Sequence, residues 1–190
     1  MKAYKETERK YYKYQYQEFV QPVLTSNGTL GGDSFAVAGN TDTYNAFDGA
    51  TSGAYASRAT NDTVIVYSPN PLCLTNVHLN AYSYLHCVYG LQEVLCADTL
   101  DGEREVVFSQ NIGEHAAERT YSFPNNTRYA KYWFITYAST GSGGYAIYEY
   151  QLTGTEQITV EATKDDYVFY KDIDIYKLPK INEAYYGIGD

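Results

Sequence analysis

The chain has 190 residues, 44% of them hydrophobic, and a formal net charge of −9. It is long enough to bury one domain core, and its acidity disfavours sequence-independent nucleic-acid binding, which requires a basic surface. No run of about 18 apolar residues is present, which predicts no membrane span. The charged start "MKAYKETERK" lacks the apolar stretch of a signal peptide, so we expect none.

The first predicted element is a tyrosine-rich arm at residues 1–20. In "YYKYQYQEF" (11–19), Tyr12, Tyr14 and Tyr16 alternate with Lys and Gln, which predicts an extended strand with one tyrosine face. A frayed tail is the alternative. Because disordered tails usually lack aromatic residues, the composition favours an arm that packs on the domain or on a neighbouring chain.

Residues 21–154 are predicted to form the folded domain, with β-strands separated by turns. The segment "PNP" (69–71) and the glycine-rich segment 139–144 are turn signals, and Thr43–Phe47 is a short turn with helical character. Short strands at this spacing are typical of a sandwich or barrel. The predicted strands are 63–68, 76–85, 90–98, 103–110, 119–123, 130–139 and 145–154.

The residue types that often carry catalysis show no catalytic pattern. The histidines are scattered, and no nucleophile, zinc or phosphate-binding motif is present, so we expect no enzyme. Cys73, Cys87 and Cys96 lack metal-binding spacing and are predicted to be free, mostly buried thiols. Trp133 lies within a predicted strand and is predicted to belong to the core.

The composition changes after Gly154, and residues 155–190 are predicted to form a second extended arm. In "TKDDYVFYKDIDIYKLPKI" (163–181), Asp172 and Asp174 alternate with isoleucines, which again fits an extended segment. Neither end of the chain resembles a domain by itself.

Three segments occur in the order and spacing of one known domain type. They are "QPVLTSNGTLGGDSFAV" followed by "TYNAFDGATSGAYAS", then "VLCADTLDG" (94–102), then "RYAKYWFITYASTGSGGYAIYEYQLTG" (128–154). Together they resemble the discoidin-type domain, the galactose-binding-like jelly roll of coagulation-factor C-terminal domains and many carbohydrate-binding modules. The resemblance covers Gln21 to Gly154. It implies an all-β, antiparallel jelly-roll β-sandwich with the two extended arms outside it.

The same resemblance implies a structural calcium ion (Ca²⁺) behind the Ala-Phe-Asp-Gly run. In this family the Asp, several backbone carbonyls and a late Glu supply the oxygens that calcium prefers, and Asp48 and Glu149 stand at those positions. The chain departs from the family at Gly53, where Thr or Ser is usual, and at Tyr55, where Trp is usual. The alternative is that Asp48 only caps its turn by accepting backbone N–H groups.

Ligand recognition in this family lies on loops at one end of the sandwich, where an aromatic platform and a few hydrogen-bonding side chains meet a sugar. The loop positions here are Arg58, Tyr84, His86 and Tyr145. Arg58 can donate paired hydrogen bonds to hydroxyls or a carboxylate, and Tyr145 can stack on a sugar face. Each residue also has an ordinary structural explanation, as a solvated loop residue, a packed surface residue or the start of a strand.

Two functions stay open. The first is a non-catalytic glycan-binding module, displayed outside the cell on a phage virion and used in host attachment. The terminal segments resemble tail-associated proteins of phages from gut bacteria, which implies other virion proteins or further copies of the chain as partners. The composition and the net charge predict no membrane and no nucleic-acid partner. The second is a purely structural virion component that uses the jelly roll and its arms for assembly.

Overall fold

The computed structural model describes residues 12–39, 42–53, 56–58, 62–81, 90–113, 116–138 and 145–162. Within them the chain forms one 3-10 helix at Thr43–Phe47, where the sequence predicted a helical turn. This part of the chain contains no helix with the length and apolarity needed to cross a bilayer. The strands are β1 (Tyr12–Glu18), β2 (Ala36–Ala38), β3 (Ala56–Arg58), β4 (Asp62–Ala81), β5 (Gly90–Ala97), β6 (Glu105–Ile112), β7 (Glu118–Ser122), β8 (Ala130–Ala138) and β9 (Tyr145–Glu161).

The long strand β4 belongs to both layers of the sandwich. Its first part, Asp62–Tyr67, pairs with β8, and its last part, Leu72–Ala81, pairs with β9. The predicted turn at 69–71 is therefore wrong, because the chain stays extended there while it changes partner. Proline has no N–H to donate, and these prolines lie where the register with β8 is interrupted, between Tyr67 and Leu72.

The strands form two layers that share β4. The front layer contains β2, the first part of β4, β8, β5 and β6, and the back layer contains β7, the last part of β4 and β9, with β1 and β3 beside β9. The pairings among β2–β9 are antiparallel. The Phe19 N–H donates to the Gly154 carbonyl at 3.0 Å, so the first and last segments of the sandwich lie side by side. The predicted all-β antiparallel sandwich is confirmed.

The core lies between the layers and is built from alternate residues of each strand. In β4, Val77 and Leu79 are buried, whereas His78 between them is partly exposed. Trp133 is fully buried, as predicted, and its Nε1–H donates to the Ala130 carbonyl at 3.2 Å. The hydrophobic alternation that predicted the strands therefore also predicts which side of each strand faces the core.

Two of the three cysteines are described, and both are free buried thiols, as predicted. Burial raises the pKa of the Cys73 thiol and raises that of Cys96 to about 11. Both thiols therefore stay protonated at neutral pH and are poor nucleophiles. Cys87 lies outside the described residues.

The N-terminal segment is a strand, as predicted, but its tyrosines are not covered by the domain. Tyr12, Tyr14 and Tyr16 are 62%, 66% and 56% exposed. The Tyr16 ring contacts the Tyr129 ring, with 5.2 Å between their centroids. The described part of the domain therefore covers the tyrosine row only in part, through Tyr129, and packing on a neighbouring chain stays a prediction.

One compact unit spans Tyr14–Thr159, and Met1–Lys13 with Val160–Asp190 form a second unit. β9 continues through Gly154 to Glu161, so the start of the predicted C-terminal arm belongs to this strand. Residues 163–190 lie outside the described part of the chain. The division into an arm at 1–20, a domain at 21–154 and an arm at 155–190 stays a prediction.

Candidate functional site

The register between β3 and β9 defines one end of the sandwich, which we call the proximal end. Arg58, the last residue of β3, pairs with Tyr145, the first residue of β9. Ala81, the last residue of β4, pairs with Ile147. Two of the four predicted ligand-binding positions are thus direct neighbours in the sheet, although they are 87 positions apart in the sequence.

The other two predicted ligand-binding positions cannot be located in the same way. Tyr84 and His86 fall in the segment 82–89, outside the described residues. The described residues on either side of that segment are the end of β4 and the start of β5. All four positions stay predictions as ligand contacts.

The two predicted metal ligands lie close together below the proximal end. Glu149 is on β9 and is only 4% exposed, while Asp48 follows the 3-10 helix. Burial raises the pKa of the Glu149 carboxyl to about 7; a hydrogen bond from Gly49 opposes this shift, and the Asp48 charge adds to it. The Asp48 and Glu149 carboxylates are therefore close enough for their charges to repel, and their role as metal ligands stays a prediction.

The turn that carries Asp48 also has the geometry expected if Asp48 only caps the turn. The Asp48 Oδ1 accepts the Ala50 N–H at 2.9 Å, and Gly49 has a φ of +77°, which favours glycine. The Gly49 N–H donates to Glu149 Oε2 at 3.2 Å. The turn therefore fixes its own backbone and at the same time offers a donor to the buried carboxylate.

The backbone conformation at residue 53 explains why glycine is found there, where the discoidin-type family usually has Thr or Ser. Its φ is +102°, a conformation that is strained for residues with a side chain, and most of all for β-branched ones. The position where the family has a hydroxyl is therefore adapted to glycine here, and a Thr at residue 53 would strain the backbone. Tyr55 lies outside the described residues.

Gln21 is a site residue that the sequence did not reveal. Its Nε2 donates to the Tyr150 carbonyl at 2.7 Å, and its Oε1 accepts the Leu152 N–H at 2.8 Å. The side-chain amide thus bonds to the edge of β9 as a neighbouring strand would. The same Nε2 lies 3.4 Å from Glu149 Oε1. The only feature of the sequence that pointed to Gln21 was that the resemblance to the discoidin-type domain begins at this residue.

The donor set is compatible with calcium only in part. Asp48 and Glu149 supply carboxylate oxygens, which calcium prefers, and a cation there would offset the unfavourable burial of the Glu149 charge. In the part of the chain that the structure describes, no three His, Cys, Asp or Glu side chains are grouped as a metal site. Backbone carbonyl oxygens would therefore have to complete the coordination.

An open cavity of about 490 Å³ lies at the opposite, distal end, where β5 leads into β6. Arg128 lines it and donates to Asp98 Oδ2 at 2.7 Å, and it lies 3.4 Å from Glu105 Oε2. The hydrogen bond to Asp98 raises the pKa of the Arg128 guanidinium. Because two carboxylates already neutralise this arginine, we assign no ligand to the cavity.

No protein-family profile and no curated protein matches the sequence of the chain. Solved structures do resemble it. An F5/8 type C domain from Bacteroides fragilis superposes with a TM-score of 0.50 at 14% identity, over 63% of this chain and 91% of that domain. The module CpGH89CBM32-6 of Clostridium perfringens gives a TM-score of 0.51 at 11% identity, over 65% of this chain and 96% of that module.

At these identities the likeness is one of fold. The chain has the galactose-binding-like β-sandwich fold found in F5/8 type C domains and in carbohydrate-binding modules. The discoidin-type fold that the three sequence segments implied is confirmed.

Proposed function

We propose that the chain is a non-catalytic carbohydrate-binding module whose ligand site is the proximal end of the sandwich. The observation that carries this proposal is the β3–β9 register, in which Arg58 and Tyr145 are paired neighbours. A guanidinium that binds hydroxyls and an aromatic ring that stacks on a sugar are complementary ways to hold a saccharide. The fold likeness to a carbohydrate-binding module supports the same function.

A glycan array probed with the full chain tests this proposal. We expect binding to a restricted set of glycans, and we expect Arg58→Ala and Tyr145→Ala each to weaken it by roughly thirtyfold, as for a central contact worth about 2 kcal/mol. Arg104→Ala and Tyr129→Ala, which change the same residue types near the distal end, are the matched controls. Equal loss in all four variants, or no glycan binding at all, would contradict the proposal.

We also propose that Asp48 and Glu149 hold a structural calcium ion with nearby backbone carbonyls. The support is the pairing of a buried carboxyl that has a raised pKa with a second acid on the adjoining turn. The ion would supply the positive charge that the buried pair lacks, and it would fix the turn against β9.

A calcium titration followed by thermal unfolding tests the metal proposal. A ligand that binds only the folded chain stabilises it by about 2.7 kcal/mol at a hundredfold excess over its Kd. Asp48→Asn should abolish the increment, because it removes one anionic ligand while the turn keeps a capping side chain. Asp98→Asn at the distal end is the control. An unchanged melting temperature at all calcium concentrations would leave Asp48 as a turn cap alone.

The second candidate function is a structural component of a phage virion, and the exposed tyrosines of β1 favour it. An exposed row of three tyrosines is a surface that other proteins can bind. A chain built into virions should be found in purified phage particles at a fixed copy number by quantitative mass spectrometry. Its absence from the particles would contradict both a virion role and the extracellular, virion-bound location.

A further inference from the structure

β1 lies at one end of the hydrogen-bonded strand order, next to β9. In the described part of the chain, no strand pairs with its other edge. All seven residues of β1 are exposed, and the strand contains no proline. Such an edge is a ready template for another extended segment, because none of the strands that the structure describes pairs with its N–H and C=O groups on that side.

The contacts with β9 show which residues of β1 face the open edge. The Phe19 N–H donates to the Gly154 carbonyl, and the Gln17 side chain donates to Glu156 at 2.6 Å, which is the register of an antiparallel pair. Backbone groups of successive residues point to opposite edges of a strand. The odd-numbered residues therefore face β9, and Tyr14 and Tyr16 present their backbone N–H and C=O groups to the open edge.

The β1 strand can pair with the β1 strand of a second copy when the two run antiparallel about the central residue, Gln15. In an antiparallel pair of two β1 strands with full overlap, Tyr14 of each copy lies opposite Tyr16 of the other, so two cross-strand aromatic pairs form. Lys13 lies opposite Gln17, which is bonded to Glu156. In this register the Lys13 cation of one copy would lie near the Glu156 anion of the other.

We propose that two copies of the chain associate through antiparallel pairing of their β1 strands, with the twofold axis at Gln15. Tyr14 of each copy then packs against Tyr16 of the other on one face of the joined sheet, and the two back layers form one continuous sheet. The features that single out a second copy are the edge that no other described strand pairs with and the tyrosine complementarity, and the proposed register would also bring Lys13 of one copy towards Glu156 of the other. This inference does not depend on glycan or calcium binding.

Disulfide trapping of the full chain tests the proposed register. At the axis, Gln15 faces its own copy as a non-hydrogen-bonded pair, in which the Cα atoms are about 4.5 Å apart and within disulfide reach. Gln15→Cys should therefore give a covalent dimer of twice the 21.4 kDa chain mass on mild oxidation. The unsubstituted chain, which keeps its native cysteines, is the background control.

Two neighbouring positions provide matched controls. Lys13→Cys and Gln17→Cys lie about 14 Å from their own copies in this register, too far for a disulfide, but opposite each other. Each should stay uncrosslinked alone, and a mixture of the two should crosslink. Trapping at position 13 or 17 alone, or no trapping at 15, would overturn the register. A chain that is monomeric at all concentrations by light scattering would overturn the interface and leave residues 163–190 or another protein as the occupant.

A charge exchange tests the interface without cysteines. Tyr14→Glu with Tyr16→Glu places like charges opposite each other across the axis, whereas Tyr14→Lys with Tyr16→Glu places opposite charges there. The dimer Kd should be at least about tenfold higher for the first variant than for the second. Both variants lose the Tyr16–Tyr129 ring contact, so that loss cancels in the comparison. Equal dimerisation of the two variants would overturn the proposal.

Discussion

Glu149→Gln is expected to stabilise the protein at alkaline pH and to leave it unchanged in acid, when both are measured with a metal chelator. Burial raises the pKa of Glu149 from 4.5 to about 7, so the folded state holds the proton more tightly than the unfolded state does. The stabilisation by this group is fully present below the pKa of the unfolded state. It is lost as the pH rises through about 7, the pKa in the folded state. The shift corresponds to about 3 kcal/mol.

Urea unfolding at a series of pH values measures this difference. A glutamine resembles the protonated glutamate and keeps an oxygen that can accept the Gly49 N–H. The advantage of Glu149→Gln should therefore be near zero at about pH 4 and reach about 3 kcal/mol at about pH 8. Glu156→Gln, on the same strand, is the control. A constant difference across this range would show that the pKa of Glu149 is the same in the folded and unfolded states, and would contradict the raised value.

Calcium at about a thousandfold excess over its Kd should reverse the ranking at alkaline pH, because the expected gain of about 4.1 kcal/mol exceeds the cost of about 3 kcal/mol. A cation between Asp48 and Glu149 would favour the ionised carboxylate, so the unsubstituted chain would gain stability that Glu149→Gln does not. The chelated and calcium-bound titrations together separate the cost of burying the charge from the gain of binding the metal.

Strand positions in this chain are predictable from local sequence, because one buried face sets a period of two. Val77 and Leu79 against His78 show this alternation, and the strand found there extends over them. The segment Pro69–Pro71 was predicted to be a turn but is extended in β4, and the chemistry of proline explains the difference. Proline marks a place where no ladder N–H is needed, and both a turn and a change of sheet meet that condition.

The candidate site was predictable only where the resemblance supplied it. Nothing local in the sequence joins Asp48 to Glu149, since their approach results from packing of the turn on β9. The bonds of Gln21 to β9 are equally non-local, because an amide side chain replaces a strand there. Pairwise contacts of this kind depend on the closed sandwich, whereas strand periodicity does not.

Gly154→Ala should be among the most destabilising single substitutions in the described part of the chain. A Cβ at this position would overlap the Cys73 carbonyl oxygen and lie 2.8 Å from the Leu74 Cα, and both of those atoms belong to the backbone of β4. Since no side-chain rotation can relieve such contacts, β9 would have to move away from β4 where their register shifts, between Leu74 and Asn76. We expect a loss of about 3 kcal/mol.

The destabilisation by Gly154→Ala should extend beyond the glycine itself, because the Gly154 carbonyl accepts the Phe19 N–H. Phe19 in turn packs against Phe35, with 5.8 Å between the ring centroids. Displacing β9 therefore strains the contact that brings the first and last segments together. Thermal unfolding followed by circular dichroism should show a melting temperature lowered by roughly 6–12 °C. Gly113→Ala is the matched control, because a Cβ there meets no atom within 4 Å. If the two alanine variants melt together, β4 and β9 do not approach each other as closely at Gly154 as the structure has them.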